Sequence, residues 1–249
     1  MTQYKLLDWI DENKLSKLYL SMNPNGIDYI IENNIPFNSY LSFNTNPKAI
    51  EVLNENPDLI EWEFLSQNPS AVSLLLDSKN SDKINWYYLS LNTNDDIVDI
   101  LLKPDNYFKI NWNCLSENSN PKVIELLSKK EYKYKINWSA LSVNKNAASI
   151  LLNPENRFKV DWNNLCKNPN EEIVKVILDS ENRNKLNSYY LSQNENPEVI
   201  EFLSKPENIN LINWNSISLN PSAIKLLYEN QDKINWIEFS KNPSIFKLI

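Results

Sequence analysis

Residues 212–227 have the sequence Ile-Asn-Trp-Asn-Ser-Ile-Ser-Leu-Asn-Pro-Ser-Ala-Ile-Lys-Leu-Leu, one of ten versions of a pattern that recurs every 21 to 26 residues in this 249-residue chain. In every version an Asn follows three residues after a Leu, Ile or Phe. Self-similarity at a period of about 20 to 50 residues is typical of solenoids, propellers and arrays. The invariant asparagines, called the asparagine column below, are Asn23, Asn44, Asn68, Asn92, Asn118, Asn144, Asn168, Asn194, Asn220 and Asn242.

The spacing of apolar residues in this stretch predicts two short helices per repeat. Trp214 and Ile217 lie three residues apart, as do Ala223 and Leu226, and neither segment alternates with the period of two that strands require. The first helix, helix A, is predicted to begin after Asn213, because Asn and Asp are preferred N-caps. We therefore predict an all-α fold, an α-solenoid of about ten two-helix repeats of 21–26 residues.

The second helix, helix B, is predicted to begin at the asparagine column. In short repeats the column Asn is followed by Pro, as in Asn220-Pro221, which is a preferred helix start. Longer repeats contain a second Asn two residues later: Asn46, Asn94, Asn120, Asn170 and Asn196. There we expect the second Asn to cap helix B and the column Asn to end helix A in a left-handed conformation. The column is thus interpreted as structural caps, with a row of ligand-binding amides as the alternative.

A tryptophan column accompanies the repeats, three residues before the Leu position. Its strict register with the core Leu indicates packing between repeats, and a recognition groove is the alternative interpretation. The column is formed by Trp62, Trp86, Trp112, Trp138, Trp162, Trp214 and Trp236.

The energetics of one repeat predict a continuous array. About six buried apolar side chains contribute on the order of 10 kcal/mol, whereas ordering some 25 residues costs more than that. We therefore predict one α-solenoid domain over 1–249, with tandem repeats over 14–249 and an N-terminal cap half-repeat over 1–13, in which Leu6 and Leu7 end a helix B. The C-terminal layer is expected to stop inside helix B and to remain open at Ile245, Phe246, Leu248 and Ile249.

The composition argues against most catalytic mechanisms. The chain has one glycine, Gly26, and no histidine. It therefore has no Gly-rich phosphate loop or dinucleotide fingerprint, and it lacks the usual general base and the commonest metal ligand. We expect no enzyme activity, no cofactor and no metal.

Charge and cysteine usage predict the partner class and the compartment. A net charge of -7 has the wrong sign for a protein that tracks a phosphate backbone, so we do not expect nucleic acid as a partner. Cys114 and Cys166 lie two repeats apart and are expected to be free thiols in a reducing compartment. Because the sequence shows no signal pattern and no apolar run of about 20 residues, we expect an intracellular protein without a membrane partner.

The consensus Ile-Asn-Trp-x-x-Leu-Ser-x-Asn-Pro-x-Ala-Ile-x-Leu-Leu resembles the tandem repeats of proteins from giant DNA viruses of the mimivirus type. The resemblance covers about residues 14–249. It implies a viral protein made in the host cytoplasm, and it implies no catalytic residues.

The residue just before the Leu position is the leading candidate for partner contact. It is aromatic in four successive repeats and then varies, which indicates that it reaches the surface. We call these four residues the aromatic stripe: Tyr19, Tyr40, Phe64 and Tyr88. Because Tyr supplies a large contact area at low entropic cost, the leading hypothesis is a non-enzymatic protein-protein interaction scaffold that contacts an unidentified protein through this stripe. Ordinary half-buried packing is the alternative.

Two further hypotheses come from other parts of the sequence. The chain is predicted to self-associate as a structural or assembly protein if its C-terminal layer, Ile245 to Ile249, is open. A weaker hypothesis is RNA binding through Lys129, Lys130, Lys133 and Lys135, which alternate with Tyr132 and Tyr134. A solvated loop is the alternative interpretation of this basic segment.

Overall fold

A computed structural model describes residues 4–249. The chain forms two compact units: unit 1 contains the residues up to Glu61 together with Leu191–Ile249, and unit 2 is Trp62–Tyr190. Both units consist of repeats of helix A, helix B and a connector, which we number 1 to 10 after the column asparagines from Asn23 to Asn242. The predicted all-α solenoid of two-helix repeats is confirmed. The prediction of a single domain over 1–249 stays a prediction.

Helix A spans only four to six residues in each repeat because a polar N-cap precedes it and the column asparagine follows it closely. In repeat 5, for example, the Asn111 side chain accepts the backbone N–H of Cys114 at 3.0 Å. The Leu of helix A is buried, as at Leu115. Helix A covers Lys17–Leu20, Ser39–Phe43 (a 3-10 helix), Trp62–Gln67, Trp86–Leu89, Trp112–Glu117, Trp138–Val143, Trp162–Lys167, Ser188–Leu191, Trp214–Leu219 and Trp236–Phe239.

Helix B supplies most of the aliphatic core. In repeat 5, Val123 and Leu127 are fully buried. Helix B covers Ile27–Glu32, Pro47–Glu55, Val72–Leu75, Asp95–Leu101, Pro121–Ser128, Ala148–Leu151, Glu171–Leu178, Pro197–Ser204 and Ile224–Glu229. Repeat 9 enters it through the 3-10 turn Pro221–Ala223, and repeat 10 has only the 3-10 turn Pro243–Ile245 in its place.

The connectors between repeats contain 3-10 turns. An Asn in five of them donates its side-chain amide to the carbonyl six residues earlier, at the end of helix B; Asn106 to Ile100 O at 2.8 Å is one case. This bond satisfies a carbonyl that the helix end leaves unpaired. The 3-10 turns are Glu12–Lys14, Pro57–Leu59, Ser78–Asn80, Pro104–Asn106, Lys130–Lys135, Pro154–Asn156, Ser180–Lys185, Pro206–Leu211 and Gln231–Lys233.

The two ends of unit 1 form a short antiparallel sheet of Tyr4–Leu6 and Phe246–Leu248, in which Leu6 pairs with Phe246. The predicted helix B at Leu6 and Leu7 is therefore wrong, and so is the predicted helix at Phe246. A single 3-10 turn precedes Phe246, and a helix of that length would leave most of its backbone groups unpaired. The two extended segments, Tyr4–Leu6 and Phe246–Leu248, instead pair their backbone groups with each other.

Repeat 10 packs on repeat 1 inside unit 1 with the same bonds that join sequential repeats. The Asn23 amide nitrogen donates to Ser240 O at 3.1 Å and to Asn242 O at 2.7 Å. Ile245 and Phe246 are buried, and Phe246 closes over Gly26, where an added Cβ would lie 3.3 Å from its ring. The expected open C-terminal layer is therefore wrong, because the first repeat covers it.

Candidate functional site

The asparagine column forms a buried hydrogen-bond ladder between repeats. The Asn118 amide nitrogen donates to Ser90 O at 3.0 Å and Asn92 O at 2.9 Å, both in the preceding repeat, and its Oδ1 accepts the N–H of Asn120 at 2.9 Å. All ten Oδ1 atoms accept the backbone N–H two residues later. The same pair of amide donations is made by Asn23, Asn44, Asn92, Asn144, Asn168, Asn220 and Asn242.

These bonds leave the column little capacity for a ligand. Every column side chain is at most 3% exposed. An amide nitrogen carries two hydrogens, and in the eight asparagines with both donations those hydrogens are already bonded to backbone carbonyls. The column therefore ties consecutive repeats together, and the geometry speaks against a row of ligand-binding amides.

The predicted left-handed conformation of the column asparagines is wrong. Asn118 has φ -64° and ψ 117°, which is extended, and within residues 4–249 the one non-glycine residue with positive φ is Asn34. The extended backbone lets the side chain bond the preceding repeat while its own carbonyl accepts from the next one. The second asparagines cap helix B as predicted: Asn46, Asn94, Asn120, Asn170 and Asn196 each accept an N–H of its first turn.

A serine ladder runs beside the asparagine column. Ser116 Oγ donates to Trp112 O at 2.7 Å and accepts the backbone N–H of Asn137, the helix A cap of the next repeat, at 3.0 Å. Cys166 replaces Ser in repeat 7, and the N–H of Asn187 bonds its thiol. Seven more Ser Oγ atoms accept the equivalent N–H: Ser42, Ser66, Ser90, Ser142, Ser192, Ser218 and Ser240.

Both cysteines are free, as predicted, and both are buried. Burial raises the pKa of each thiol, that of Cys114 and that of Cys166. Because the thiolate is the reactive form, neither side chain is placed as a nucleophile at neutral pH.

The tryptophan column is half-buried, and lysines from the following connector lie over its rings. Lys109 Nζ is 4.3 Å from the ring centroid of Trp86, and Lys185 Nζ is 4.3 Å from that of Trp162. The same contact is made by Lys83, Lys135, Lys159 and, on Trp236, Lys14. Sequence reasoning missed these lysines, although Lys-Ile-Asn-Trp recurs in the chain. Covered rings favour packing between repeats over an open recognition groove.

The aromatic stripe is half-buried at all four positions. In unit 1, the rings of Tyr19 and Tyr40 lie 5.4 Å apart at an interplanar angle of 32°. Lys241 Nζ lies 4.5 Å from the centroid of Tyr19 and bonds both carboxylate oxygens of Glu238 at 2.9 and 3.0 Å. These four residues, which we call the tyrosine cluster, form a fixed surface with an aromatic centre and a charged border.

The stripe members of unit 2 have a different setting. Tyr88 makes an edge contact with Tyr87, with ring centroids 5.0 Å apart. The Tyr87 hydroxyl hydrogen-bonds Cys114, which raises the pKa of Tyr87. Phe64 is half-buried in helix A of repeat 3.

The other two predicted sites are partly accessible. At the C-terminus, Ile245 and Phe246 are buried inside unit 1, whereas Leu248 and Ile249 are 57% and 66% exposed. In the basic segment, Tyr132 stacks on Trp112 with centroids 5.6 Å apart, and Tyr134 is 79% exposed. Three of its lysines are exposed as well: Lys129, Lys130 and Lys133.

The fold and its ladders define the class of this molecule, a helical tandem-repeat protein whose repeats are joined by buried asparagines. Comparison with protein-family models, with curated proteins and with solved structures finds no match. Over residues 4–249, no three His, Cys, Asp or Glu side chains are grouped so that they could hold a metal ion. In the same range, every helix is too short or too polar to cross a bilayer.

Proposed function

We propose that this chain is a non-enzymatic protein-interaction scaffold, and that the tyrosine cluster is its principal contact surface. The observation that carries the proposal is the Tyr19–Tyr40 ring pair, at 5.4 Å, with the Lys241–Glu238 ion pair beside it. Tandem helical repeats present long continuous surfaces of this kind, and solenoids use them to bind other proteins.

The tyrosine cluster has the properties of a binding hot spot. Half-buried rings lose little freedom on binding, because Tyr19 and Tyr40 already support each other. Tyr is one of the residue types that contribute most of the binding energy near the centre of typical interfaces. The Lys241 and Glu238 side chains are only 19% and 31% exposed, so the charged border is held in place. We infer a folded protein partner with an apolar centre and polar groups around it. The resemblance of the repeats to those of giant DNA viruses supports testing the proposal in an infected cell.

The test is partner capture with a stripe variant. The parent chain and a Tyr19→Ser/Tyr40→Ser variant are used as baits in an infected-cell lysate, and bound proteins are quantified by mass spectrometry. We expect at least one abundant partner to be lost with the variant. A second variant, Phe64→Ser/Tyr88→Ser, tests the unit 2 members of the stripe.

The matched control is Tyr228→Ser, because Tyr228 is an exposed tyrosine of unit 1 outside the stripe. It should retain every partner. Recovery of the same proteins by the parent and by the Tyr19→Ser/Tyr40→Ser variant would contradict the proposal, provided that circular dichroism shows all the baits to be folded.

A further inference from the structure

Three aromatic rings of unit 2 are far more exposed than any other large apolar side chain described in residues 4–249. Phe108 is 82% exposed, Tyr134 79% and Phe158 85%, whereas the next value is 66%. We call these three residues the aromatic row. Exposed apolar groups that cluster are typical of binding sites.

The repeat register places the three rings in a line. Phe108, Tyr134 and Phe158 each stand directly before a Lys, in the connectors that lead into helix A of the consecutive repeats 5, 6 and 7. The amides of Asn144 and Asn168 each donate to the preceding column carbonyl at 2.9 Å, so these repeats stack in the same way. Equivalent positions are therefore separated by one layer, about 10 Å if helices pack at their usual distance.

Each ring has a cation near it, and two of these cations, Lys109 and Lys135, also lie over the rings of Trp86 and Trp112. Lys109 Nζ lies 5.6 Å from the Phe108 centroid and Lys135 Nζ 5.3 Å from that of Tyr134, while Arg157 Cζ lies 4.4 Å from that of Phe158. The three connectors, 103–109, 129–135 and 153–159, contain eight basic and three acidic residues, which gives a formal charge of +5 in a chain whose total is -7. The net charge of the chain, which disfavours nucleic acid, conceals this local excess.

We propose that the aromatic row binds single-stranded nucleic acid, with one base stacked on each ring and one phosphate held by each neighbouring cation. We infer the occupant from the repetition of the site along the chain. Each of three successive connectors offers one flat ring and one positive charge, and each nucleotide of a single strand offers one flat base and one phosphate. Stacking on aromatic side chains beside cations binds single strands with little regard to sequence. Because the row offers rings and cations only, RNA and DNA strands are expected to bind alike.

The aromatic row shares no residue with the tyrosine cluster, so the two proposals fail or stand independently. An acidic peptide or an anionic bilayer would also meet the charge of the row, but neither has flat bases that stack on a ring. Leucine keeps apolar area and removes the stacking face. Leu substitutions therefore discriminate between the occupants.

The experiment measures fluorescence anisotropy of labelled 12-residue oligo(U) and oligo(dT) with the full chain. We expect the parent to bind both, with an affinity that falls about twentyfold between 50 and 200 mM salt if three phosphates are neutralised. Single Phe108→Leu and Phe158→Leu variants should each weaken binding about fivefold or more. The stacking-conservative variants Phe108→Tyr, Tyr134→Phe and Phe158→Tyr should stay within about twofold of the parent.

The control for ring removal is Tyr87→Leu, since Tyr87 is an exposed ring of unit 2 that lies on helix A and outside the row. It should leave the affinity unchanged. Because the row side chains are exposed, all variants should keep the melting temperature of the parent. Absence of binding by the parent at 50 mM salt would overturn the proposal. Leu variants that bind the oligonucleotides like the parent, or a stronger preference for a duplex, would also overturn it.

Discussion

Replacing Asn118 by Ala tests whether the asparagine column holds the repeats together. The side chain is 1% exposed and makes three hydrogen bonds, two donated to Ser90 O and Asn92 O and one accepted from Asn120 N. The net worth of three bonds is about 3 kcal/mol, and buried partners left unpaired add to this figure. We expect Asn118→Ala to lower the free energy of unfolding by about 3–5 kcal/mol. Urea unfolding followed by tryptophan fluorescence measures this loss.

Asn118→Asp removes the two N–H donors of the side chain without the loss of volume that Ala causes, because Asn and Asp side chains have the same shape. The introduced carboxylate keeps the acceptor for the Asn120 N–H, but it faces two carbonyl oxygens, so folding favours its neutral form and raises its pKa. A raised acid pKa means that the folded state binds more protons than the unfolded one, and stability falls as pH rises from about 3.9, the unfolded value. Asn118→Asp should therefore be closer to the parent in stability at pH 4 than at pH 7.

The control is Asn113→Ala in the same repeat, whose exposed side chain accepts one bond from the Asn137 amide. A surface change of this kind is expected to stay within about 0.5 kcal/mol. If Asn118→Ala lowered the free energy of unfolding by less than about 1 kcal/mol, or by no more than the control, the conclusion that the asparagine column holds the repeats together would be refuted.

Three other predictions concern single side chains. Cys166→Ser should leave stability unchanged or raise it by up to about 1 kcal/mol, since a hydroxyl is the group that the serine ladder has elsewhere; thermal melting checks this. Phe246→Ala should lower the free energy of unfolding by about 3–5 kcal/mol, because it opens a cavity between the first and last repeats. Lys247→Ala changes the exposed neighbouring residue and should lower it little; urea unfolding compares the two variants. Burial and the bond to Glu12 raise the pKa of Tyr29 to about 12, so the neutral phenol is favoured in the folded state. The free energy of unfolding should therefore fall as pH rises above about 10, the unfolded value. Tyr29→Phe should remove this loss, and urea titrations at pH 9 and 11 measure it.

The features that sequence predicted are local ones. The caps at Asn111 and Asn120 were predictable, because an N-cap bonds an N–H two or three residues away and leaves its signature in adjacent residues. The period and the two-helix repeat follow from apolar spacing for the same reason. That Cys114 and Cys166 are free thiols was predictable from their separation by two repeats.

The features that sequence did not predict depend on distant partners. The bonds from Asn118 to Ser90 and Asn92 span 28 and 26 residues, and no local rule shows in which direction a buried amide donates. The left-handed prediction was wrong because it considered each repeat alone. The pairing of Leu6 with Phe246 joins two segments at opposite ends of the sequence, neither of which has a pattern that identifies the other.

The geometry of the column explains why its residue type is the same in all ten repeats. The position needs two donors for the preceding carbonyls and one acceptor for the N–H two residues later, all within the reach of a single methylene. Ser has one donor, Asp has none when ionised, and Gln has the same groups on a longer chain, so Asn alone supplies the set. Invariance here follows from the requirements of stacking. Partner binding is therefore to be sought in the positions that vary between repeats, such as the one held by Tyr19 and Glu238 and the one held by Phe108 and Asp82.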